Sequence, residues 1–443
     1  MPYKNNILYR KQKLIQLLHA IEMHEESIIE ALYQDFKKPA FEAVITETAY
    51  IITELRDTIK NIEKWAKPKR VWPSLLNFPS TDLIYKEPYG KVLIIAPWNY
   101  PFQLAFSPLI AAIAAGNQVV LKPSEISLNT SQIISKIIHE CFEDTHVSCV
   151  EGGVEKAEAL LKEHWDYIFF TGSVAVGHII AQAAAKHLTP VTLELGGKSP
   201  CIIDESADLA LAAKRIVWGK FLNAGQTCIA PDYVIIHNTI KMRFIELLQK
   251  EITEFYGSNP EESLDFARII NAKNWDRLKS YLNGANIVIG GVSRFEDLYI
   301  APTIVLEPEW NSLLMKEEIF GPILPIIGYD SAVDIEQLLK KHTNPLAFYI
   351  FTKKKSFAKD LILKHAFGGG CINDTLIHFT NKKLPFGGIG TSGMGAYHGK
   401  LSFDLFTHFK PVISRGNWLD IPIRYAPYKG KMGWIKMVIK WLS

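Results

Sequence analysis

No stretch of this chain approaches the ~20 consecutive apolar residues that a membrane-spanning helix needs. The opening residues Met1-Pro-Tyr-Lys-Asn-Asn run into a charged helical pattern instead of a secretory signal. Cysteine is scarce: Cys141, Cys149, Cys201, Cys228 and Cys371 are scattered, odd in number, and without disulfide-type or metal-type spacing. A reducing, cytoplasmic setting with no disulfide framework and no metal site is therefore expected. Charge of one sign is also missing, because 49 basic residues nearly balance 46 acidic ones to leave +3. That balance gives no general argument for nucleic acid or an acidic partner surface. Low-complexity tracts and internal repeats are absent as well, and the segment from Phe169 to Gly177 lacks the GxGxxG fingerprint.

What is present describes a folded enzyme-sized chain. Its 443 residues exceed one ordinary core, so two or three domains are expected. A 48% hydrophobic and 21% charged composition is typical of globular proteins. Apolar spacing predicts two amphipathic helices over 7–34 and 41–65, interrupted near Pro39. Strands are expected over 81–86 and 91–95, joined by the turn at Pro88-Tyr-Gly90. From there β-rich runs alternate with helical stretches, which predicts an α/β architecture of parallel sheets covered by helices. A second such series begins near Ser206, so two α/β domains are expected with the chemistry between them.

Several short segments carry chemistry. Phe221-Leu-Asn-Ala-Gly-Gln-Thr-Cys228 places a thiol just past a glycine-terminated apolar helix, and Leu193-Glu194-Leu195-Gly196-Gly197-Lys198 sets a carboxylate among glycines. A thiol and a carboxylate on open segments suit covalent chemistry at a carbonyl: one attacks, the other handles a proton or water. A cysteine by itself is more often a small buried hydrophobe. Phe169-Phe-Thr-Gly172-Ser173-Val-Ala-Val-Gly177 leads from a strand into a helix whose free N–H groups can seat a pyrophosphate, or it is an ordinary βα turn. Lys122-Pro-Ser-Glu125 can reach ribose hydroxyls from a strand end, or be a solvated loop. Pro97-Trp98-Asn99-Tyr-Pro101 presents Asn99 rigidly as an oxyanion donor, unless the asparagine merely forms a turn. Glu318-Ile-Phe320-Gly-Pro322 puts a carboxylate and an aromatic ring beside a rigid turn.

In this order, the segments resemble the aldehyde dehydrogenase superfamily over roughly residues 1–415. Gly225-Gln-Thr-Cys-Ile-Ala-Pro-Asp232-Tyr233 and Pro385-Phe-Gly-Gly-Ile-Gly-Thr-Ser-Gly-Met394-Gly-Ala-Tyr-His398 are similar to its class 3 branch, which includes enzymes for hydrophobic aldehydes. The resemblance implies a variant Rossmann NAD(P)-binding domain (1–80 and 97–195), a catalytic α/β domain (196–395) and a small β bridging element (81–96 and 400–415). It implies a homodimer formed through that bridging element. Cys228 would be the nucleophile, Asn99 an oxyanion donor, and Glu194 or Glu318 the base. Pro97, Trp98, Lys122, Glu125, Gly172, Ser173, Gly177, Leu195, Gly196, Glu318 and Phe320 would meet NAD or NADP. Glu125 leans towards NAD, since a carboxylate repels a 2′-phosphate. The cationic, apolar segment 427–443 is expected to be a helix that gates a substrate tunnel, touches lipid or docks on protein. Two rival chemistries share the fold: a CoA-acylating enzyme, which Glu194 disfavours, and a cysteine esterase, which would want a histidine beside Cys228.

Overall fold

The computed structural model describes residues 6–74 and 77–442. Contacts divide it into two units, one of residues 1–66 and 88–408 and one of residues 67–87 and 409–443.

The larger unit contains two sheets. The first has six strands in the order Gly393–Met394, Val191–Glu194, Tyr167–Thr171, Lys91–Ile95, Gln118–Lys122, Val147–Cys149, parallel except at the Gly393 edge. The chain starts at the centre with Lys91–Ile95, builds outward one way, then returns to build the other way from Tyr167. Between those two strands lies the reversal of winding where open α/β sheets place their ligands. The register aligns Ile95 with both Lys122 and Phe170, and Thr171 with Glu194. The segments beginning at Pro97, Pro123, Gly172 and Leu195 therefore all leave the carboxyl edge of one sheet.

The second sheet has seven strands in the order Ile287–Ile289, Thr303–Leu306, Ile323–Tyr329, Tyr233–His237, Pro200–Ile203, Ala347–Phe351, Gly369–Ile372. Three neighbouring strands, Ile323–Tyr329, Tyr233–His237 and Pro200–Ile203, are entered by the loops that carry Glu318, Cys228 and Lys198. Residues far apart in sequence thus arrive at adjacent strand starts. Between the strands Pro200–Ile203 and Tyr233–His237, the helix Leu209–Phe221 is capped by Asp208, whose side chain accepts from the Leu211 N–H.

Every residue of the helix Pro101–Ala115 is buried, as expected of a helix apolar on all sides. Proline at its first turn and Gly116 in the left-handed region at its end define its limits.

In the smaller unit, Lys69–Val71, Ser80–Pro88 and Thr407–Arg415 form a three-stranded sheet in that order. Phe409, Val412 and Ile413 are exposed on its edge strand. The helix Met432–Leu442 exposes Trp434, Met437 and Ile439. Among the described residues, no helix is long and apolar enough to cross a membrane.

Two sequence expectations need correction. Lys91–Ile95 does not join the bridging strands but forms the centre of the six-stranded sheet. Val92 to Ile95 are buried on both faces, the mark of a central parallel strand, and the Asp166 carboxylate accepts the Lys91 N–H where the strand begins. The late bridging segment, expected over 400–415, is a strand only from Thr407. Gly399–Leu405 is instead a helix, and the Ser402 hydroxyl accepts from the N–H of its N-cap, His398.

Candidate active site

Asn223, Ala224 and Gly225 all adopt left-handed backbone, at φ 56°, 52° and 74°. This costs roughly 1–2 kcal/mol for a residue such as alanine, so the surroundings must hold it. At Gly225 a Cβ would lie 2.3 Å from the Gly321 carbonyl oxygen, so only glycine fits. Asn223 Nδ2 donates to the Asn99 carbonyl at 2.9 Å, and Asn99 Nδ2 donates to the Gln226 carbonyl at 3.0 Å. Gln226 Nε2 in turn donates to the Arg268 carbonyl at 2.9 Å. The Tyr100 hydroxyl and Thr227 Oγ1 are 2.6 Å apart. The loop that ends in Cys228 is thus tied directly to the Asn99 segment.

Cys228 is half-buried and borders a cavity of about 270 Å³. Glu194, Thr171, Tyr50, Gln103, Trp218, Leu222, Phe379 and Thr380 are among the residues that share its wall. Tyr50 stacks on Phe379 with ring centres 5.1 Å apart and its hydroxyl lies 3.4 Å from His398 Nε2. Tyr50 and Thr380 line the cavity, and His398 lies behind Tyr50.

Two carboxylates act on the thiol. Burial first, then the charges of Glu318 and Glu194, push the Cys228 thiol up to about 12, against a smaller opposing pull from the N–H groups of Cys228 and Ile229. A resting thiol, not a thiolate, follows, so attack requires a proton acceptor. Glu194 is buried, its two oxygens find no hydrogen-bond partner among the described residues, and burial holds its carboxyl well above the usual range. Glu318 is raised to about 8 by burial and then by Asp232, against the Gly197 N–H, Lys198 and Arg277. Its carboxylate packs on Gly196, where a Cβ would fall 1.9 Å from Oε2. A buried ion pair fixes its loop: Lys198 Nζ binds Asp232 Oδ2 at 2.5 Å and the Leu314 and Glu317 carbonyls at 2.8 Å. Asp232 Oδ1 accepts the Ile319 N–H at 3.0 Å.

The dinucleotide candidates gather at the carboxyl edge of the six-stranded sheet. Lys122 is buried, and its Nζ binds Glu125 Oε2 at 2.6 Å and the Pro123 carbonyl at 3.2 Å. Ser173 caps the helix Val174–Ala185, accepting the Val176 N–H at 3.4 Å. Trp98 and Phe320 meet edge to face with centres 5.3 Å apart. The residues present fit a dinucleotide in three respects. The helix carries no acidic residue in its first turn, Val176 and Ile179 lie exposed on it, and Gly177 packs so closely on Leu195 that a Cβ would fall 2.6 Å from Cδ2. Asn99, Glu194, Cys228 and Glu318 are brought together; Lys122, Glu125, Gly172 and Ser173 stand along the sheet edge from them.

Sequence reasoning did not find Lys38, Glu42 and Glu47, which lie beneath the site. Glu47 accepts the Phe102 and Gln103 N–H groups at 3.1 and 2.8 Å and binds Lys38 Nζ at 2.7 Å. Only the oddity of charges in an otherwise apolar helical face marked them.

These buried groups make stability depend on pH. Burial raises Glu42 and Glu54 from 4.5 to about 7, and Glu318 to about 8. Folded carboxyls that keep a proton the unfolded chain has lost contribute stability below 4.5, and it is lost as pH rises through 7–8. Burial lowers His146, His342, His378 and His398 from 6.5 to about 4, so their contribution improves with pH up to 6.5 and is then constant. The melting temperature of the ligand-free protein is therefore expected to fall between pH 6.5 and 8, measured by calorimetry in buffers of matched ionic strength. A rise over that interval contradicts these assignments.

Comparison with known proteins agrees with this geometry. The Aldehyde dehydrogenase family profile matches residues 4–412. The 4,4'-diaponeurosporen-aldehyde dehydrogenase of Staphylococcus aureus is 47% identical over 437 residues, covering 98% of this chain and 95% of that protein. Human aldehyde dehydrogenase family 3 member B1 is 43% identical, covering 95% of this chain and 90% of that one. A solved structure of Staphylococcus aureus AldH in its substrate-bound state superposes with a TM-score of 0.96 at 47% identity, covering 98% of this chain and 95% of that one. An NAD-dependent aldehyde dehydrogenase from Sinorhizobium meliloti gives a TM-score of 0.86 at 27% identity, covering 97% and 85%.

Proposed function

The chain belongs to the aldehyde dehydrogenase family, and from that premise we propose that it oxidises a hydrophobic aldehyde to the carboxylic acid through a thioester on Cys228. The observation that carries this reading is one cavity whose apolar and aromatic wall is interrupted by the Cys228 thiol and an unpartnered Glu194 carboxyl. Such a wall desolvates an alkyl or aryl aldehyde and presents its carbonyl carbon to sulfur.

In the proposed cycle, Glu318 takes the thiol proton. The charge order on Cys228, with Glu318 ahead of Glu194, supports that role, and a carboxyl near 8 is matched to neutral pH. Sulfur attacks the aldehyde carbon, and the oxyanion is stabilised by the Asn99 amide and the Cys228 N–H. Lys122, Glu125, Gly172, Ser173, Gly177, Leu195, Gly196, Pro97, Trp98 and Phe320 would hold NAD(P), which when bound would supply a two-electron acceptor for the aldehyde hydrogen. Glu194, inside the cavity, then deprotonates the water that cleaves the thioester. The Glu125 carboxylate, paired with Lys122, would repel a 2′-phosphate, which favours NAD over NADP.

The test is nicotinamide reduction followed by absorbance across straight-chain aldehydes of rising length, with NAD and with NADP. The 4,4'-diaponeurosporen-aldehyde of the staphylococcal relative's name is a natural addition to the series. Catalytic efficiency is expected to rise with chain length, by up to about tenfold for every two methylenes that become buried, and to be higher with NAD. A flat or falling series removes the hydrophobic-aldehyde reading.

A further inference from the structure

Behind the nucleophile loop lies a buried cluster of charge that takes no part in the cycle above. It comes from residues 38–47, where a four-residue helix, Ala40–Ala43, continues into a π-helix over Val44–Thr48. The wider i→i+5 repeat of a π-helix brings residues five apart towards one face. Glu42 and Glu47 both point inward, at 8% and 0% exposure, with the fully buried Lys38 beside them. Glu47 holds the start of the helix that follows Asn99 and Tyr100. Lys38 Nζ sits 4.1 Å from the Tyr100 ring centre. Glu42 does something different: its Oε2 accepts the Asn223 N–H at 2.9 Å.

Asn223 is the first of the three left-handed residues that turn the chain into Gln226, Thr227 and Cys228. Its side chain ties it to the Asn99 and Gln226 carbonyls and its own carbonyl accepts from Gln226, while its N–H is a further handle on that turn, held by Glu42. We propose that Glu42 is a positioning residue for the nucleophile: by accepting the Asn223 N–H it holds the left-handed turn that aims Cys228 and its backbone N–H. The proposal rests on Cys228 being the nucleophile.

A charged acceptor holds an amide more firmly than a neutral one. Glu42 is raised to about 7, first by burial and then by Asp265, against Lys38 and the Asn223 N–H. The hydroxyls of Tyr100 and Tyr256 also feel its charge. The turn is accordingly held more firmly above pH 7 than below it, and Cys228 reactivity should gain an acid limb there.

The experiment uses the full chain with NAD. Glu42→Ala, which removes the acceptor, is expected to lower kcat and the iodoacetamide alkylation rate of Cys228 by about tenfold, with the aldehyde KM within about twofold. Glu42→Gln, which keeps an acceptor oxygen, is expected to lie between Glu42→Ala and the parent and to lose the limb near pH 7. Parental kcat, alkylation rate and pH profile in both variants overturn the proposal. Should either variant fail to fold, hydrogen exchange in the unaltered protein decides. Protection of the Asn223 amide, corrected for intrinsic exchange, is expected to rise at least about threefold from pH 6 to pH 8. Equal protection at both values overturns it. Turnover by Cys228→Ala would instead remove the underlying nucleophile assignment and is read separately.

Discussion

Cys228→Ala is expected to lower aldehyde-dependent nicotinamide reduction by at least about 10⁴-fold, or about 5.4 kcal/mol of transition-state stabilisation. Dinucleotide affinity is expected to stay within about twofold of the parent protein, because removing one sulfur leaves the carboxyl edge of the six-stranded sheet untouched. The loss is large because no second thiol can substitute. Cys201 is fully buried on a strand, and Cys371 neighbours His378 at 3.5 Å but is absent from the cavity wall. The split between the two readouts matters, since misfolding would remove both. Stopped-flow turnover with equilibrium titration of NAD measures them on one preparation. Sustained turnover by the alanine variant would refute the assignment.

The second large effect separates the carboxylates. Glu194→Gln is expected to slow steady-state turnover by about 10²–10⁴-fold while leaving an initial burst of reduced nicotinamide, because acylation precedes the water step. Glu318→Gln is expected to slow the burst itself, since the thiol near 12 would lose its proposed proton acceptor, the carboxylate whose charge acts on it more strongly. The substitutions are nearly isosteric, so the packing of Glu318 on Gly196 should survive. If Glu318→Gln keeps the burst and loses the steady state, the two roles are exchanged. A burst that survives neither substitution would place both groups before the thioester.

Much of this site was legible from sequence because the chemistry sits at strand ends. Short β-rich runs put Ile95 at the end of a strand and Lys122, Thr171 and Glu194 immediately after strands, and winding rules made the carboxyl ends of those strands neighbours. The loop glycines marked the close approaches at Gly196 and Gly225. The bridging strands were legible only in part, since Lys91–Ile95 follows a hairpin-like turn yet carries the uninterrupted apolar run of a central strand. Glu42 was marked only as a charge in an otherwise apolar helical face. Its partner Asn223 lies far along the chain, and the π-helix that follows its own short α-helix has no periodic signature. The cavity wall was hidden for the same reason: Trp218, Gln103 and Phe379 come from separate elements, and only packing makes them neighbours.

The most direct measurement of the central claim is peptide mapping by mass spectrometry of Glu194→Gln, quenched in acid after one turnover with NAD and a medium-chain aldehyde. The expected result is the mass of the acyl group on the peptide that contains Cys228, released by neutral hydroxylamine. Turnover with no acyl adduct, or an adduct on any other residue, would contradict it.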